Sequence, residues 1–215
     1  TPMQERYIGN AKMFSEKEKS ELLHVYNGQY DYRDITKPLY RESRGYDPVD
    51  TMQYIDIHTW MRGDILLKAD KMTMAHSLEL RVPFLDKIVF ETASKIPTSL
   101  KTANNTTKYI LRKAAEGVVP EHVLTRKKLG FPVPIRHWLK NEMNEWAKNI
   151  IKESNTEHLI NKSYLLKLLD DHCQNKADNS RKIWTVLMFM MWHDVYVEKK
   201  YSFQKEYEAQ KVLQS

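Results

Sequence analysis

Glycine is scarce in this chain, at 6 of 215 residues, and cysteine is scarcer, at one. The single thiol, Cys173, excludes a disulfide framework within the chain and suits a reducing, cytoplasmic setting. It is expected to be an inert packed thiol, because a reactive thiolate needs an activating neighbour. No run of about 18 apolar residues occurs, so no membrane-spanning helix is expected. Nor is there an export signal with a charged start and an apolar middle. The sequence lacks a Gly-rich phosphate loop, a Ser-x-Gly nucleophile elbow and Cys/His pairs at zinc spacing. The eight histidines are scattered, as packed or surface residues would be.

What remains is an ordinary soluble composition, 41% hydrophobic and 29% charged, with enough apolar material for a core. The length fits one domain, or one domain with a tail, since domains commonly run about 100–200 residues. A helical domain is expected over residues 1–200, followed by a polar, disordered tail over 201–215. The net charge of +6 could attract nucleic acid or anionic nucleotides. Acidic residues alternate with Lys and Arg along most segments, however, and no RNA-binding or zinc-finger pattern is present, so nucleic acid is not an expected partner.

Helical spacing dominates the apolar pattern, and the expected class is all-α. Ser15-x-x-Glu18 forms a capping box ahead of Leu22, Leu23 and Tyr26. Asp47 followed by Pro48 opens a helix with Met52, Ile55 and Thr59 on one face. A second helix is expected to start near Asp64. Pro83 places Leu80 to Val82 in extended or loop backbone, after which Asp86 caps a helix holding Val89, Phe90 and Ala93. Thr106 is expected to cap the next helix, which stops at Gly117. Pro134 is expected to open a helix through Trp138, Met143 and Trp146, and Asn161 and Ser180 to cap the last two. The last of these is apolar almost all round from Ile183 to Trp192, as a helix inside a larger assembly would be.

Two segments bring charge into apolar surroundings. In the first, Asp64 and Lys68 stand at i,i+4 and can pair on a helix. Glu79 and Arg81 follow, flanked by apolar residues just before Pro83, where an unpaired charge would be costly if buried. Spacing alone fits a structural ion-pair network as well as a site. In the second, Arg126-Lys127-Lys128 precedes Gly130. That cluster suits a solvated basic turn, or a loop whose cation stabilises a phosphate or an oxyanion.

The longer words go further. Asp64-Ile-Leu-x-Lys68-x-Asp70-Lys71-Met72-x-Met74-Ala75-x-Ser77-Leu78-Glu79-x-Arg81-x-Pro83-Phe84-Leu85-Asp86 resembles the signature segment of the asparagine synthetase family. Lys71 stands where that family usually has arginine, and the charge is kept. Downstream, Lys108-x-x-Leu111-Arg112, Pro120, Arg126-x-Lys128-x-Gly130-Phe131-x-x-Pro134, Trp138, Arg181-x-Ile183-Trp184 and Trp192 resemble the family's later elements in order. Arg6-Tyr7-x-Gly9 and Phe14 fit the region just after its ATP-contacting loops. The resemblance runs from about residue 6 to 198.

This resemblance implies a fold, the multi-helix C-terminal part of a PP-loop synthetase domain of the adenine-nucleotide alpha-hydrolase type, with the central sheet outside this chain. It implies a reaction, in which ATP with magnesium adenylates aspartate and ammonia tunnelled from glutamine displaces AMP. It implies partners: the rest of the synthetase domain, an N-terminal glutaminase domain, aspartate, glutamine or ammonia, ATP, and a second copy of the chain. It implies roles as well. Lys128 matches the lysine that faces the phosphates and the intermediate, Asp64 an acidic residue of the nucleotide or intermediate pocket, and Glu79 and Arg81 the loop bordering that pocket. In the related β-lactam-forming synthetases a glutamate at that loop assists proton removal. Asp86 reads as a helix cap. The family's Ser-Gly-Gly-x-Asp-Ser and Ser-Gly-x-Gly-x-Asp-Glu loops and its N-terminal cysteine are not in this sequence, so the piece alone is expected to make no asparagine and to leave an apolar face uncovered. Two other readings share these words: an amidating or β-lactam-forming enzyme on the same scaffold, and a non-enzymatic helical interaction module.

Overall fold

The computed structural model describes residues 3, 7, 12–29, 31, 33–127, 130 and 133–201. The described residues are mainly helical, with one two-stranded antiparallel sheet. They divide into two compact units, one of Thr1–Ala11 with Tyr30–Gly130 and the other of Lys12–Gln29 with Phe131–Ser215.

The second unit has the core. Its helices are Glu16–Leu22, Ile135–Trp138, Asn144–Glu153, Lys162–Cys173 and Ser180–Tyr196. The last helix buries Ile183, Val186, Leu187 and Met190, the i, i+3, i+4, i+7 set that lines one face of a helix. These pack with Ala147, Ile151, Leu165 and Leu169 from the two helices before it, and with Leu22 and Leu139. The opposite side of the last helix carries Met191, Trp192 and Tyr196 to the surface, with Trp192 50% exposed. The all-round apolar pattern is therefore half satisfied within the unit.

Local rules fix the other ends of this unit. Ser15 accepts from the Glu18 N–H, and Glu18 accepts from the Ser15 N–H, completing the expected capping box. Glu18 also pairs with Lys182 of the last helix. That bond, together with those from Ser15, lowers its carboxyl from 4.5 to about 2. The Asn161 side chain accepts from the Tyr164 N–H, as its capping role requires. Its backbone N–H reaches the Leu22 carbonyl at 2.8 Å, and the Leu23–Ile160 bridge joins the same segments. The last helix departs from expectation: Asn179 precedes it without a side-chain cap, while the Ser180 hydroxyl donates to Asp178 at 2.7 Å. The helix expected from Pro134 to Trp146 is broken in two, Ile135–Trp138 and Asn144–Glu153, with turns between them. At that break the Asn144 side chain donates to the Leu139 carbonyl at 2.9 Å.

The first unit is built differently. Asp47 caps the Pro48–Asp56 helix through the Val49 N–H. No new helix begins at Asp64. The chain stays helical through a wider π-type stretch, Ile57–Leu66, into Leu67–Met74. Gly63 costs this run about 1 kcal/mol without breaking it. The helical run ends in a left-handed residue, Ser77, at φ 55°. Leu78 N–H donates to the Thr73 carbonyl and Ser77 N–H to the Met74 carbonyl, both at 3.0 Å, the paired bonds of a Schellman stop. A loop follows to Pro83–Leu85, and Asp86 then caps Lys87–Ser94 through the Ile88 and Val89 N–H groups, as expected.

Thr106 does not cap a helix. It pairs with Ala103 in the small hairpin, whose turn is Asn104-Asn105 at φ 50° and 55°. Asparagine tolerates the left-handed region, and two such residues suit a hairpin turn. Among the described residues of this unit the only buried apolar side chains are Tyr40 and Ile55. Phe84 and Ile88 are 68% and 75% exposed, and Met72, Met74, Leu78, Leu80 and Val82 are exposed beside them in sequence.

Candidate functional site

Asp64 lies within the π-type stretch, a helix form often found at functional sites. Its carboxylate accepts from the Trp60 indole N–H at 3.0 Å and stands 3.7 Å from the Lys68 ammonium, as the i,i+4 spacing predicts. The indole contact was not legible beforehand, although Trp60 also sits four residues away.

Glu79 and Arg81 follow the Ser77 stop. The left-handed turn ends the helix, and the chain runs on without regular secondary structure as far as Pro83. The two side chains form an ion pair at 2.5 Å, with 70% and 84% of their surface in solvent. Among the described residues no hydrogen bond or ion pair joins Asp64 to either of them. The structure thus brings Glu79 to Arg81 and Asp64 to Lys68, as two separate exposed pairs. Lys128 lies outside the described residues. Asp86 is occupied as a cap.

The approach to Lys128 is described as far as Lys127. The Glu121–Thr125 helix ends at Arg126, whose backbone leaves the helical region at ψ 132°. Arg112, on the Tyr109–Ala114 helix, donates to the carbonyls of Thr107 and Arg126 at 3.2 and 3.0 Å, and also to that of Leu124. Sequence reasoning marked Arg112 only as part of a family word. Its partners are main-chain oxygens, which leave no residue-type signal.

Among the described residues no group of three or more His, Cys, Asp or Glu side chains could hold a metal ion. No helix among them is long and apolar enough to cross a membrane.

These helices, with their signature segment and its two ion pairs, are those of a PP-loop synthetase domain. Residues 2–194 match the family described as asparagine synthase, and the chain belongs to that family. It is 71% identical to glutamine-hydrolyzing asparagine synthetase 1 of Bacillus subtilis (strain 168) over 201 residues, 94% of this chain and 32% of that protein. It is 52% identical over 197 residues to a protein of Mycobacterium bovis whose name assigns it provisionally to the same enzymes, covering 91% of this chain and 30% of that protein. It is 32% identical over 156 residues to glutamine-hydrolyzing asparagine synthetase 3 of Bacillus subtilis, covering 72% and 25% respectively. The chain thus spans about a third of the length of its first two relatives. No solved structure matches it at a comparable level of significance.

Proposed function

We propose that this chain supplies the C-terminal helices of the synthetase half of a glutamine-hydrolysing asparagine synthetase. The observation that carries this reading is the 71% identity across 94% of the chain. In the whole protein, an oxygen of the aspartate side-chain carboxylate attacks the α-phosphorus of ATP. The bond to the β-phosphate breaks, and pyrophosphate leaves. Ammonia released from glutamine then attacks the β-aspartyl carbonyl carbon, AMP departs, and the nitrogen gives up a proton to yield asparagine.

In this reading Lys128 is the principal catalytic group. Charge grows on five-coordinate phosphorus in the first step and on the carbonyl oxygen in the second, and one ammonium can stabilise both where water is excluded. Asp64 borders the nucleotide or intermediate pocket. Glu79 and Arg81 border it from the following loop. The partners are the rest of the synthetase domain and a glutaminase domain. The exposed segment from Leu67 to Phe90 is where the former would pack, and in the isolated piece it would drive self-association.

The test is aspartate-dependent ATP–pyrophosphate exchange by the complete polypeptide. Exchange with aspartate supports the reading. Exchange only with another acid would point to a different amidating enzyme, and no exchange with any acid to a non-enzymatic module. Lys128→Met in that polypeptide should leave folding intact and remove about 2.7–4 kcal/mol of transition-state stabilisation, the range for one oxyanion donor. Near-normal turnover in a folded variant would refute the role given to Lys128.

A further inference from the structure

Arg112 is a partly buried residue that makes no ion pair among the described residues. Its donors go to main-chain oxygens instead: Nε to Thr107 at 3.2 Å, Nη1 to Leu124, and Nη2 to Arg126 at 3.0 Å. Leu124 lies in the last turn of the Glu121–Thr125 helix and Arg126 just beyond it. Carbonyls at a helix end have no partner within the helix, and a cation there is favoured by the helix dipole. The rigid fork of arginine reaches several acceptors at once, which the single ammonium of lysine cannot do in the same geometry.

We propose that Arg112 is a positioning residue for the cationic segment: by clamping the Leu124 and Arg126 carbonyls to the Thr107 end of the hairpin, it sets the point and direction from which the chain leaves toward Lys128. The proposal rests on the reading of Lys128 as catalytic for its functional consequence, but the clamp itself does not. Among the described residues the Arg126 and Lys127 side chains make no ion pair, and the segment's backbone is tied to the unit through Arg112. A misplacement of about 1 Å at a reacting group can lower a rate about 100-fold, so an anchor two residues from such a group has a kinetic signature.

The experiment compares Arg112→Met, Arg112→Lys, Lys128→Met and the double variant Arg112→Met/Lys128→Met in the complete enzyme. Exchange kinetics are measured for each, and tryptic cleavage after Arg126 and Lys127 is timed. Arg112→Met should lower kcat about tenfold or more and leave KM for ATP and aspartate within about twofold, because it acts on placement and not on binding. Cleavage at the two sites should accelerate by about tenfold, while sites elsewhere keep their rates. The double variant should be no slower than Lys128→Met alone, since coupled residues are not additive. Arg112→Lys, which keeps the charge and the stem, should fall between wild type and Arg112→Met in both readouts, and it carries the comparison if Arg112→Met does not fold. Wild-type cleavage in the Arg112 variants would overturn the clamp. Losses that multiply in the double variant would overturn its action through Lys128. If Lys128→Met is itself fully active, the catalytic reading fails, and the cleavage rates still decide whether Arg112 holds the segment.

Discussion

In the unit of Lys12–Gln29 and Phe131–Ser215, side chains from five helices close over one another, and Ile151, Leu165, Leu169, Ile183, Leu187 and Met190 are fully withdrawn from solvent. In the unit of Thr1–Ala11 and Tyr30–Gly130, helices of similar apolar content leave Met72, Leu78, Phe84 and Ile88 in solvent. The difference lies in what faces those residues, since both units obey the same capping and spacing rules. Helices gain most of their stability from packing an apolar face, and local propensity adds little. A segment whose apolar side chains stay exposed among the described residues is a surface open to a partner. That segment also contains Glu79 and Arg81, in the stretch that resembles the family's signature words.

The largest effects should separate the two units. Leu187→Ala opens a cavity in a closed core and should cost about 2–5 kcal/mol of unfolding free energy. Phe84→Ala in the same isolated chain should cost less than about 0.5 kcal/mol, the range of an exposed substitution. Urea titrations of both variants check this pair. Equal losses would remove the contrast between the units.

A smaller effect sharpens the account of the second unit. The Glu18–Lys182 bond ties its first helix to its last. The folded carboxyl of Glu18 titrates near 2 and the free group near 4.5. A depressed pKa stabilises the fold above the free value, and that contribution is lost as pH falls from about 4.5 through about 2. Both side chains are a quarter exposed, so the expected contribution at neutral pH is about 1 kcal/mol, well below what the full shift would give in a dry site. Glu18→Gln should lose that amount at pH 7 and nearly nothing at pH 2, in thermal melts at the two pH values. Loss of the same size at both would mean that the cap, and not the charge, carries the effect.

The smallest effect belongs to the first unit. Ser77 holds a left-handed conformation that costs an L-residue about 1 kcal/mol. Ser77→Gly relieves it and should stabilise the isolated chain by up to that amount, less the extra freedom glycine gains when unfolded. A rise in the urea midpoint with an unchanged slope is the expected observation, and a fall would mean that the serine side chain makes a contact worth more than the strain.

Short-range chemistry was legible in the sequence. Ser15 with Glu18, Asp47 with Pro48, and Asp86 after Pro83 each announced a helix start, because the capping side chain and the N–H that donates to it lie within three residues. The Asp64–Lys68 pair was readable for the same reason. Elsewhere the pattern misled. Asp64 looked like a helix start, yet nothing between Ile57 and Gly63 stops the preceding helix. Thr106 looked like a cap, and the left-handed pair Asn104-Asn105 that makes it a hairpin strand was the available signal. The division into two units and the Arg112 clamp depend on contacts between distant segments, which spacing does not encode. Lys128 was read from the family word alone.

The most direct test of the account is amide hydrogen exchange of this chain, alone and within the complete polypeptide. Amides of the Lys162–Cys173 and Ser180–Tyr196 helices should be strongly protected in both, since they report a closed core. Amides from residue 67 to 94 should exchange rapidly in the chain alone and slow by about two orders of magnitude or more in the complete polypeptide, where their apolar face is covered. Equal protection of residues 67–94 in both would contradict the account, because the first unit would then need no partner.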